Sequence, residues 1–131
     1  MGVDIVGNAN GWWQVAPLWW FVLADYAEHV VPNVARKCRA WYTSELDGLD
    51  EDHAQELAAG LQRSIDDCSI DRYARQLFVA LRSEKDFSCL VEYDGGGFYP
   101  RPDERRFVDQ FVGEVQRFVC FLLSSKGFQI I

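Results

Sequence analysis

A chain of 131 residues with 49% hydrophobic side chains has the length of one domain, residues 1–131, and enough apolar content for a continuous core. Its formal charge of −7 argues against bulk binding to nucleic acid or to an anionic membrane, since both need clustered Lys and Arg to displace counterions. The longest strongly apolar run, Val15 to Ala24, is about half of the roughly 20 residues a membrane-spanning helix requires and is interrupted by Pro17, so no membrane partner is expected.

Val3 to Val6 is a β-prone run that ends in the loop Gly7 to Gly11, whose glycine and asparagine residues tolerate left-handed backbone. Pro17 suits the first turn of a helix, and Leu18, Phe21, Val22, Tyr26 and His29 recur on one face of it as far as about Val30. Pro32 restarts the chain, and the stripe Val34, Cys38 and Trp41 predicts a second, shorter helix. After a turn at Leu46 to Leu49, Asp50 or Asp52 caps a helix whose inner face is Ala54, Leu57, Ala58, Leu61 and Ile65. Ser69 caps the next, where Ile70, Tyr73, Ala74, Leu77, Phe78 and Leu81 keep unbroken three-four spacing. Glu84 to Arg101 loses helical periodicity, with a strand expected at Cys89 to Tyr93 and a turn at Asp94 to Gly97. From Pro102 or Asp103 a long helix carries Phe107, Phe111, Val115, Phe118 and Leu122, stops near Lys126-Gly127, and gives way to a closing strand at Phe128 to Ile131.

The fold class that follows is mainly α within α+β: a compact bundle of four or five helices with a small antiparallel sheet, of two or three strands, joining the N- and C-terminal strands. Pairing Val3 to Val6 with the closing strand ties the two ends together.

Motif chemistry is sparse. Cys38, Cys68, Cys89 and Cys120 lie far apart, with no Cys-x-x-Cys pair and no secretory signal ahead of them, so they read as reduced cytosolic thiols and buried small hydrophobes. With two distant histidines they supply no closely spaced ligand pair, so no metal and no cofactor are expected. A thiol nucleophile at Cys38 with His29 as base is conceivable across a helix corner, but no signature surrounds it. Asp47, Asp50, Glu51 and Asp52 fail the calcium-loop pattern, because the sixth position from Asp47 is Asp52 and the twelfth is Ala58. Gly95 to Gly97 lacks the Lys-Ser/Thr of a phosphate loop.

The tryptophans are the strongest signal. Trp12, Trp13, Trp19 and Trp20 stand close together, and a segment of that kind is either a core wedge or an adhesive surface. Trp13, Trp19 and Trp41 read as core. Neighbours in a helix point about 100° apart, so Trp19 and Trp20 cannot both face one narrow stripe. One of Trp12, Trp13 or Trp20 is therefore expected to be an exposed anchor, and these three are the candidate surface anchors.

Met1, Gly2, Asp4, Gly7 and Asn10, the tryptophan cluster, Pro17-Leu18, the spacing of Tyr26 to Pro32, Cys38-x-x-Trp41, Asp47-Gly48-Leu49, and Phe118-x-x-Phe121-Leu122 before Gly127-Phe128-x-Ile130 resemble a family of small uncharacterised bacteriophage and bacterial proteins. The resemblance touches most of the chain and is most specific over residues 1–66. Some members insert a Cys-x-x-Cys-Gly zinc-ribbon-like segment; here that region has only Cys89 and Gly95 to Gly97, so no zinc is implied. The family brings no activity with it.

These readings together predict a non-enzymatic phage or prophage accessory protein. It would lie in the cytoplasm of the bacterial host and bind a host protein through an acidic, aromatic surface, a host defence system being one target. The alternatives are a small enzyme using Cys38 with histidine, or carboxylates, and a homo-oligomeric structural protein.

Overall fold

The first and last strands lie side by side at the centre of a four-stranded antiparallel sheet, in the order β2-β1-β6-β3. Strand β1 is Val3–Gly7, β2 is Trp12–Val15, β3 is Gly48–Asp50 and β6 is Gly127–Ile130. The computed structural model describes residues 3–9, 11–15, 17–42, 47–83, 93–94, 97–98 and 103–131. Five helices accompany the sheet: α1 (Pro17–Val30), α2 (Pro32–Ala35), α3 (Glu51–Asp66), α4 (Ser69–Ser83) and α5 (Glu104–Ser125). Strands β4 (Tyr93–Asp94) and β5 (Gly97–Phe98) pair with each other. The protein is thus mainly helical with a small antiparallel sheet, and among the described residues no helix is long and apolar enough to cross a membrane.

Pairing of the terminal strands follows the predicted partners, with Ile5 opposite Ile130 and Gly7 opposite Phe128. The alternation of β1 and β6 puts Ile5, Phe128 and Ile130 into the core, on the side where α5 packs. β6 enters straight from α5: Lys126 adopts the left-handed conformation (φ 56°) and Gly127 follows at φ 92°. A side chain at Gly127 would stand 2.6 Å from the Leu49 carbonyl oxygen, so this position needs glycine for space as well as for its backbone angle. Gly48, across from Gln129, is equally constrained, because a Cβ there would collide with the Phe128 carbonyl.

Helix α5 forms because Phe107, Phe111, Val115, Phe118 and Leu122 repeat at three-four spacing and bury completely, with Asp103 capping it through Arg105 N–H at 3.0 Å. Helix α3 starts where Asp50 accepts the His53 N–H at 2.8 Å, and it buries Ala54, Leu57, Ala58 and Leu61. A buried polar contact ties α1 to α3: Tyr26 donates to Ser64 Oγ at 2.8 Å, and Ser64 in turn donates to the Leu61 carbonyl at 2.6 Å. Every buried hydroxyl in that chain therefore has a partner.

Four sequence expectations are corrected. The predicted second helix is only the four residues of α2. Val34, Cys38 and Trp41 are all buried, but beyond Arg36 the chain folds back irregularly, held by the Trp41 indole N–H on the Ala35 carbonyl (2.8 Å) and by the Asp47 carboxylate on the N–H groups of Arg39 and Ala40 (2.7 and 3.1 Å). Ser69 is the first residue of α4 rather than its cap, and Asp67 accepts the Ser69 N–H at 2.8 Å. Leu49, expected in a turn, belongs to a strand. The sheet has four strands because Trp12 to Val15 forms one, which two or three strands did not allow for. The strand expected at Cys89 to Tyr93 lies outside the described residues except for Tyr93.

Candidate binding surface

Residue parity across the sheet decides what each tryptophan does. Val6 stands opposite Trp12 on one side and Gln129 on the other, and Asp4 stands opposite Gln14. Side chains alternate along a strand, so Asp4, Val6, Trp12, Gln14, Gln129 and Ile131 share the face turned away from α5. Trp12 is 70% exposed there and Ile131 45%. The Trp12 indole donates to Asp4 Oδ1 at 3.2 Å, and the Gln14 side-chain amide donates to the same oxygen at 3.1 Å. One carboxylate thus fixes the orientation of a large exposed aromatic ring. The four strands contain Asp4 and Asp50 and no basic residue, so the face is acidic as well as aromatic.

Trp13, one residue on, points inward. It is half-buried, with its ring 5.7 Å from those of both Phe118 and Phe121. It is a shoulder of the core that reaches the sheet edge. Trp20 is not an anchor at all: it is 0% exposed, and its ring lies 5.5 Å from Trp41 and 5.6 Å from Phe118. Trp19 is buried too, stacked on Phe107 at 5.9 Å. The 100° between them separates two packing partners rather than core from solvent, because α1 is covered on two sides.

The sheet has two edges of different character. Gly7 N–H bonds to the Gly11 carbonyl at 2.9 Å, and hydrogen-bonded pairs alternate along an antiparallel ladder. Ile5–Trp13 and Val3–Val15 are therefore the bonded pairs, and the main-chain N–H and C=O groups of Trp12 and Gln14 face away from β1. Among the described residues no hydrogen bond reaches them. At the opposite edge, the Gly48 N–H is taken by Asp47 Oδ1 at 2.9 Å, and β3 runs directly into α3.

The catalytic alternatives find little support. The Cys38 thiol is buried, and burial, with Asp47 nearby, pushes its pKa up to about 12, so it is a thiol at neutral pH. His29 is exposed and engaged with Tyr73, ring centroids 4.8 Å apart. Burial opposes ionisation of Asp47, yet the N–H groups of Arg39, Gly48 and Ala40 outweigh it and hold its pKa below the usual range. Asp50 is likewise lowered, first by the His53 N–H, which makes both carboxylates structural acceptors. Among the described residues no three His, Cys, Asp or Glu side chains gather to hold a metal ion. Two surface hollows, of about 340 Å³ beside Glu56, Arg63 and Asp67 and about 520 Å³ beside Asp71, Arg75 and Glu104, are each lined by both acidic and basic side chains.

The chain matches no protein-family model, no curated protein and no solved structure. Asp4 and Ile131 are the members of the acidic, aromatic face which sequence reasoning missed; the alternation in Val3 to Val6 and Phe128 to Ile131 held the signal, once the register was known.

Proposed function

We propose that this chain is a non-enzymatic accessory protein of a bacteriophage or prophage that binds and inhibits a host protein in the bacterial cytoplasm, with a defence system as the target class. The observation that carries the binding reading is Trp12: a tryptophan 70% exposed, on a face whose four strands contain no basic residue, with its indole N–H already held by Asp4. Exposed tryptophans that are held in place make efficient interface anchors, because a large contact area is gained with little further loss of side-chain freedom. The net charge of −7 supports a protein partner with a basic surface over nucleic acid. The phage assignment rests on the sequence resemblance alone. Capture from a bacterial lysate, with the protein and its Trp12→Ala variant immobilised in parallel, tests the reading. A host protein retained by the parent and lost by a folded Trp12→Ala supports it; equal retention removes Trp12 from the interface.

A further inference from the structure

The binding surface ends at a strand edge whose outward main-chain groups, at Trp12 and Gln14, meet no hydrogen-bond partner among the described residues, and this bears on how a partner docks. A sheet edge with free main-chain N–H and C=O groups is a template for another strand, and proteins commonly blunt such edges with lysine, proline or a covering element. Among the described residues, β2 has none of these: its residues are Trp12, Trp13, Gln14 and Val15, and β1 is the one strand that pairs with it. The β3 edge, by contrast, is partly occupied by the Asp47 carboxylate.

We propose that β2 takes up an extended segment of the partner protein as a fifth strand, bonded to the main chain of Trp12 and Gln14, with alternating basic and apolar side chains in that segment. Resting on the binding reading above, this deepens it by naming the mode of recognition and the chemistry of the occupant. The alternation follows from the two faces. On the outer face, a residue beside Trp12 and Gln14 meets an exposed indole and the Asp4 carboxylate, a setting for lysine or arginine through cation–π contact and charge attraction. On the inner face, a residue beside Trp13 meets the half-buried rings of Trp13 and Phe121, whose centroids are 5.7 Å apart, a setting for an aliphatic side chain. A second copy of the chain is the weaker occupant, because it would bring another −7 of charge to the same acidic face.

The probe is a blocked six-residue peptide alternating lysine and valine, titrated against the full chain and followed by tryptophan fluorescence and by amide shifts in β2. Its controls are the glutamate–valine peptide and a lysine–valine peptide N-methylated at alternate residues. Strand addition expects binding of the lysine peptide, loss of binding on N-methylation in one of the two alternate registers, and little binding of the glutamate peptide. Trp12→Ala should weaken it about tenfold, the scale of a good cation–π contact. Gln14→Pro removes an N–H that faces away from β1, a place where a strand tolerates proline, and should abolish binding without unfolding the sheet. No binding of the lysine peptide, or undiminished binding by both N-methylated registers, overturns the proposal without altering the protein. Host-protein capture lost in Trp12→Ala but intact in Gln14→Pro would also overturn strand addition while leaving the Trp12 surface standing, so the two failures are distinguishable.

Discussion

Trp20 donates its indole N–H to the main-chain carbonyl of Trp41 at 2.6 Å, and the two rings lie 5.5 Å apart. That contact fastens helix α1 to the irregular segment after α2, at a point where Phe118 of α5 and Phe128 of β6 also close on Trp41. Helix α1, the segment after α2, helix α5 and strand β6 all meet on this pair. It also satisfies the one polar atom that burying Trp20 would otherwise strand.

Replacing Trp20 by alanine should therefore cost about 3–5 kcal/mol, the usual loss for a large buried aromatic. Trp20→Phe keeps a ring but leaves the Trp41 carbonyl without that donor, and should cost roughly 1–3 kcal/mol from the unmade bond, with lost ring area in addition. Trp12→Ala should stay within about 0.5 kcal/mol of the parent, since Gln14 still bonds Asp4. Urea denaturation of the three variants measures the order; a Trp12 effect as large as that of Trp20 would contradict the burial described.

Truncation after Lys126 removes an inner strand, not an edge. β6 pairs with β1 and β3 at once and delivers Phe128 and Ile130, each 1% exposed, to the core. Without it, β3 loses its strand partner and β1 keeps β2 alone. A thermal melt of the truncated chain should show no cooperative transition, and a transition within a few degrees of the parent would count against this pairing.

Helices α3, α4 and α5 were legible because each has to bury one face. The spacing in α3, α4 and α5 is a direct imprint of that need, and the choice between Asp50 and Asp52 as the cap of α3 falls to Asp50 once its carboxylate is seen on the His53 N–H. Strand β2 was not legible, because its first two residues, Trp12 and Trp13, are both apolar and adjacent, so its sequence shows no period-two alternation. Trp20 was misplaced for a different reason: a 100° step between neighbours predicts divergence only when a helix has one covered side, and Trp19 and Trp20 are buried against Phe107 and Phe118 on separate sides of α1. An acidic, aromatic surface is expected from the sequence, but which residues share it is not legible there. It joins Asp4 of β1, Trp12 of β2 and Ile131 just past the end of β6, and only the register puts them on one side.

The thiols offer an independent check of burial. Against the expectation that the cysteines are buried small hydrophobes, Cys68 and Cys120 are exposed, whereas Cys38 is buried with its pKa pushed up to about 12. Iodoacetamide applied to the native protein near pH 8, followed by peptide mass analysis, should modify Cys68 and Cys120 and spare Cys38 until denaturant is added. Rapid native labelling of Cys38 would reopen a nucleophilic role for it.

Asp47 provides the pH test. Both of its carboxylate oxygens act as acceptors, Oδ1 for Gly48 N–H and Oδ2 for the N–H groups of Arg39 and Ala40. Its main-chain carbonyl meanwhile takes the Ile130 N–H at 2.8 Å, so the residue links the segment after α2 to the sheet. Asparagine has only one acceptor oxygen and would turn an NH₂ towards N–H donors, so Asp47→Asn should destabilise by about 1–3 kcal/mol near neutral pH. The sign of the pH effect follows from the direction of the shift. A carboxyl whose pKa is lower in the fold than in the unfolded chain, ordinarily about 3.9, stabilises fully above that value and loses its contribution as pH falls through the depressed folded pKa. Stability of the parent should thus decline below about pH 4, and the decline should be shallower in Asp47→Asn, where this proton is no longer taken up. Some slope must remain, because Asp50 and Asp67 are lowered as well, the first chiefly by the His53 N–H and the second by Ser69. Chemical denaturation at a series of pH values measures both slopes; identical slopes in the two proteins would mean that the Asp47 carboxylate is not the acceptor that ties Arg39 and Ala40 to the sheet.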